Sequence, residues 1–67
     1  MNFDGFLKSK ELKVTKGRIA ILKVLYEADR SLSVENILEE CKKFGVDINL
    51  STVYRGVEAF EEKGIID

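Results

Sequence analysis

Histidine, proline and tryptophan are absent from this chain, and cysteine occurs once. With no histidine and a single thiol there is no credible set of zinc ligands, so any metal would bind outside these residues. Cys41 can close no internal disulfide; it reads as a small core hydrophobe, with redox sensing as the alternative. Catalysis is excluded on similar grounds, because there is no glycine-rich phosphate loop and no nucleophile beside an evident base. Glu39-Glu40 and Glu61-Glu62 are paired carboxylates in sequence, but adjacent helical positions point about 100° apart and cannot share one substrate. No small-molecule substrate is therefore expected. No apolar run approaches the roughly 20 residues of a membrane span, and the N-terminus lacks a signal-peptide pattern. The expectation is a protein without a membrane partner, working in the cytoplasm.

What remains is a chain of 67 residues, 45% apolar and 34% charged, a balance that places it with soluble globular chains as one domain over residues 1–67. A domain this small buries only about 60% of its chain surface, so it needs close helix packing or a partner over its remaining apolar face. The net charge of −1 argues weakly against a nucleic-acid binder, yet the charge is unevenly divided. Residues 1–18 carry five basic side chains (Lys8, Lys10, Lys13, Lys16 and Arg18) against two acidic ones, a net of +3, whereas the remainder carries six against ten, a net of −4. Local patches, more than total charge, steer a polyanion, although lysine runs also serve simply to solvate a surface.

With no proline, punctuation falls to caps and glycines, and the pattern predicts an all-α bundle of three to four helices. The first spans about Asn2 to Lys10, with Phe3, Phe6 and Leu7 on one stripe. A second starts at Thr15 and runs to about Ala28, apolar around most of its circumference (Ile19 to Leu22, Val24 to Tyr26), as suits the centre of a bundle. The third starts at Ser33, sets Val34, Ile37, Leu38, Cys41 and Phe44 on one seam, and stops at Gly45. The fourth begins at Asn49, turns Leu50, Val53, Val57 and Phe60 inward, and ends at Gly64, with Ile65 folding back on Phe60. Three of the starts repeat one device, an apolar residue before the cap matched with another five later: Val14 with Ile19, Leu32 with Ile37, Ile48 with Val53. That staple selects Asn49 over Ser51 as the fourth cap and leaves Ser51, Thr52 and Arg55 on the outer surface, with Tyr54 at the border.

Gly45 to Ile48 is the short glycine-containing turn expected inside a helix-turn-helix, which makes the fourth helix the recognition helix. No acid occurs from Asn49 to Gly56, and Lys16 and Arg18 occupy the first turn of the second helix, although the dipole favours acids at both places. A phosphate backbone would account for both departures. Arg55 could grip a guanine edge or a phosphate, or simply pair with Glu58 or Glu62. Tyr54 could set its ring on a thymine methyl or its hydroxyl on a phosphate, or lie at the core edge. Ser51 and Thr52 could donate to phosphates or only cap and solvate, and Lys13, in an extended link, could reach a neighbouring groove or water.

Leu12-Lys13-Val14-Thr15-Lys16-Gly17-Arg18, then Leu32-Ser33-Val34-Glu35-Asn36-Ile37, then Ser51-Thr52-Val53-Tyr54-Arg55 and Phe60 to Ile66, resemble the DNA-binding domain of the ferric uptake regulator family. The resemblance spans nearly the whole chain, and Thr52-Val53-Tyr54-Arg55 is its most specific piece. It implies a winged-helix-like repressor domain that binds double-stranded operator DNA as a homodimer. By the same resemblance Tyr54 and Arg55 belong in the major groove, Thr52 and Arg18 near phosphates, and Lys13 toward the minor groove. Thr15, Lys16 and Ser51 complete the expected DNA-binding set. Family members continue into a wing, a hinge and a C-terminal dimerisation domain holding the metal sites, so zinc, iron or manganese is implied only for a longer parent protein. Ser31 lies where some members have a metal-binding histidine, and that ligand does not carry over. The alternative function is a helix-turn-helix used for protein contact, with the acidic rear of the fourth helix and Ile65 and Ile66 meeting a basic partner.

Overall fold

The computed structural model describes residues 2–66, and four helices account for most of them: α1 (Phe3–Ser9), α2 (Lys16–Glu27), α3 (Val34–Lys43) and α4 (Leu50–Glu62). Each starts at a side chain that accepts a hydrogen bond from a backbone N–H three residues on. Asn2 accepts from Gly5, Thr15 from Arg18, Ser33 from Asn36 and Asn49 from Thr52, which satisfies one orphan donor per helix. The residues before the last three caps, Val14, Leu32 and Ile48, all lie half-buried against the core.

The stops are equally regular. Past α3, Gly45 at φ 78° lets its own N–H reach Lys42 O at 2.9 Å and the Val46 N–H reach Cys41 O at 3.1 Å. Past α4, Gly64 and Ile65 repeat this paired closure on Glu61 O and Phe60 O. α1 closes in the same way on Lys8 O and Leu7 O, but the left-handed position there is Glu11, at φ 60°, a conformation that side chains other than glycine adopt at a cost.

α2 is the hub and contacts the other three helices, as its apolar girth requires, while α1 packs on α2 alone. Leu7, Ile21, Cys41, Val53 and Phe60 are the largest fully buried side chains, so every helix contributes to one core. A radius of gyration of 10.8 Å matches the roughly 11 Å of a close-packed chain this long. Three apolar side chains expected inside are not. Tyr26 is 63% exposed and lays its ring edge-on against Phe3 with centroids 5.7 Å apart. Phe44 caps α3 half in solvent, with the Lys23 ammonium 5.1 Å from its ring centre. Leu50, the first residue of α4, is 36% exposed.

Candidate nucleic-acid interface

The site is built where two helices cross. A Cβ added to Gly17 of α2 would lie 3.3 Å from Ile48 Cγ2 and 3.4 Å from Thr52 Cγ2; one added to Gly56 of α4 would lie 2.8 Å from Ile21 Cδ1. Gly17 therefore meets Thr52 and Ile21 meets Gly56. Both chains advance by four residues between the two contacts, so α2 and α4 run in the same sense and their N-terminal ends lie side by side. Both glycines are buried, and the lack of side chains lets the backbones approach this closely.

Neither of these two ends carries an acid in its first turn, whereas α1 has Asp4 and α3 has Glu35 there. Two positive dipole ends thus share one edge of the molecule with Lys16 and Arg18 and without a carboxylate in either first turn. Such an edge attracts an anion spanning both helices.

The expected residues divide into open and engaged ones. Lys13, Lys16, Ser51, Tyr54 and Arg55 are exposed, and among the described residues Arg55 pairs with neither Glu58 nor Glu62. Tyr54 is 51% exposed, at the border as expected but on its open side. Thr15, Arg18 and Thr52 are half-buried. The Thr15 hydroxyl accepts from the Arg18 N–H, and the Arg18 guanidinium donates from Nη1 to Lys13 O at 3.2 Å, which holds the extended link ahead of α2 and fixes where the Lys13 side chain departs. The remaining guanidinium donors of Arg18 stay available. Thr52 is less free than its place on an outer surface suggested: its methyl packs toward Gly17 and its hydroxyl donates to Asn49 Oδ1 at 2.9 Å. Sequence reasoning found the members of this edge one helix at a time. Their convergence depends on the Gly17–Thr52 and Ile21–Gly56 contacts, and two glycines at helix positions were its only trace.

The described residues offer no group of three or more Cys, Asp or Glu side chains placed to hold a metal ion. Cys41 is fully buried, its thiol pushed up from the ordinary value of 9.0 by burial and secondly by the charge of Glu40, so it is a poor ligand and a poor nucleophile. Ile65 and Ile66 pack half-buried on the molecule's own core, which removes much of the apolar tail that the protein-contact alternative relied on. None of the described helices is long and apolar enough to cross a membrane.

The model of the Ferric uptake regulator family matches residues 9–67. The chain belongs to that family. Among its relatives, the Ferric uptake regulation protein of Escherichia coli strain K12 is 41% identical over 61 residues, which is 90% of this chain and 41% of that protein. The proteins of the same name from Vibrio parahaemolyticus and Pseudomonas aeruginosa are 39% and 38% identical over 61 residues, again 90% of this chain, and 41% and 46% of their own lengths. The chain therefore spans less than half the length of these relatives. No solved structure gives a significant match to it. The matched stretch begins ahead of Lys13 and includes both helices of the crossing and the turn that joins α3 to α4.

Proposed function

We propose that this chain is the sequence-specific DNA-binding domain of a metal- or redox-responsive transcriptional repressor that acts in the cytoplasm. The observation that carries this reading is the shared edge: two helix N-termini side by side, both without acids in the first turn, one carrying Lys16 and Arg18 and the other presenting Tyr54 and Arg55 to solvent. Membership of a family whose relatives bear the name Ferric uptake regulation protein supports it.

In this reading α4 enters the major groove by its N-terminal turns. Arg55 there forks onto a guanine edge or a phosphate, and the Tyr54 ring meets an apolar base edge. The backbone N–H groups opening α2 and α4, with Lys16, Arg18, Thr15, Ser51 and Thr52, lie along the phosphates and fix the register. Lys13, set by the Arg18 contact, points toward the adjacent minor groove. A wing, a hinge, a dimerisation domain and a resident metal would belong to additional chain, and a homodimer would present two such edges to two half-sites. Among the described residues no group of three or more Cys, Asp or Glu side chains is placed to hold that metal.

One domain with few phosphate contacts should bind duplex at roughly 1–100 µM at physiological salt, more weakly as salt rises. Titrating duplex at several salt concentrations tests this with Arg55→Ala, Tyr54→Phe and Lys13→Ala. If Arg55 holds a guanine, Arg55→Ala loses about 1–3 kcal/mol on preferred sequences only; if it holds a phosphate, the salt slope falls by about 0.9 on every sequence. Lys13→Ala should weaken all duplexes alike. Binding that ignores salt and all three substitutions would contradict the reading. It would favour the second one, protein contact through Glu58, Glu61 and Glu62, which are exposed on α4.

A further inference from the structure

Leu50 is the apolar residue whose position most needs a reason. The residues that carry α4 into the core are Val53, Gly56 and Phe60, all buried, while Leu50 projects from the first helical position with about a third of its surface open. A single exposed leucine is ordinary on a protein surface. This one stands immediately after the cap of the proposed recognition helix, beside exposed Ser51 and one turn ahead of exposed Tyr54, so Leu50 and Tyr54 form a short apolar stripe along one edge of α4. Arg55 follows on the adjoining outer face. N-terminal residues of a recognition helix are those that reach base edges. The edge of thymine carries a methyl group in the major groove, and an aliphatic side chain is a complementary partner for it.

Resting on the DNA-binding reading above, we propose that Leu50 is a specificity-determining residue that packs against a thymine methyl in the major groove, next to the contacts of Tyr54 and Arg55. The isobutyl group supplies no hydrogen bond and no charge, so its contribution depends on the methyl alone and is independent of salt.

The test uses the duplex that this chain selects from a random-sequence library, resynthesised with each thymine in turn replaced by uracil, which deletes only the methyl. For the unaltered protein, uracil at one or two positions should weaken binding about fourfold, the value of one methyl-sized group taken from water. For Leu50→Ala that sensitivity should vanish at the same position while the salt slope stays unchanged. Tyr54→Ala should keep it, and circular dichroism should show both variants folded. A Leu50→Ala protein that retains the full uracil effect, or an unaltered protein that binds in a salt-dependent way yet ignores every uracil, would overturn the assignment and leave the DNA-binding reading standing. If no duplex is bound at all, that reading falls and the role of Leu50 falls with it.

Discussion

Cys41 shows how burial fixes the chemistry of a single residue. Its side chain is wholly inside, and the loss of solvation together with the Glu40 charge raises the thiol above its ordinary 9.0. Below 9.0 both folded and unfolded chains hold the proton, and this contribution to stability is fully present. As the pH climbs past 9.0 the unfolded chain ionises first, so the contribution is progressively lost until the folded thiol also ionises. Urea midpoints at pH 8 and pH 10 should therefore show an alkaline loss in the native chain that is smaller in Cys41→Val. An equal loss in both would show that the thiol is not its source. The lone cysteine was legible in the sequence as a core residue, because it falls on the Val34–Ile37–Cys41 seam, and Val53 and Phe60 were legible in the same way. Leu50 was not. A periodic pattern reports direction around a helix axis and not position along it, and Leu50 is the first residue of its helix.

At the scale of the element, caps did more than propensity to define this fold. Asn2, Thr15, Ser33 and Asn49 each occur one residue before a helix and accept from its first turn, and the staple singled out Asn49 where Ser51 also offered a hydroxyl. Two of the stops were equally legible because glycine stands at the left-handed position. α1 ends at its Lys10 cap, where the apolar stripe predicts, but the way it closes was hidden, since Glu11 and not glycine takes the left-handed position; the signal that could have exposed it is Leu12, whose N–H closes on Leu7 O at 3.0 Å just as Ile65 closes on Phe60. Glu11 holds φ 60° at a steric cost that glycine would not bear. Glu11→Gly should raise stability by about 1 kcal/mol, an increase in Tm of roughly 4–8 °C for a domain of this size. A thermal melt with an unchanged or lower Tm would mean that the turn is not strained. Removing an acid from the basic N-terminal stretch should also leave duplex affinity unchanged or higher.

For the whole molecule the property on which the proposed DNA-binding reading depends is the way charge and dipoles are distributed, because a net charge of −1 alone would argue against it. The chain is weakly acidic overall, yet most of its acids lie on α3, on α4 from Glu58 onward and around the end of α2; Glu11 and Asp47 precede the caps of α2 and α4, and neither first turn holds an acid. That separation depends on how α2 crosses α4, and the crossing depends on Gly17 and Gly56, which approach residues 35 positions away in each case (Gly17–Thr52, Ile21–Gly56). Contacts at such separations leave little mark on a single sequence. The composition of the edge could be read from the chain, but its assembly could not. Nuclear magnetic resonance tests the assembled edge most directly: backbone amide shifts of the labelled chain followed during titration with duplex DNA at low salt. The expected result is that shifts concentrate in residues 13–18 and 49–55 together and that Glu27, Glu35 and Glu39 stay unmoved; shifts confined to the acidic α3 face, or no shifts at all, would contradict the idea that two helix ends form one DNA-binding edge.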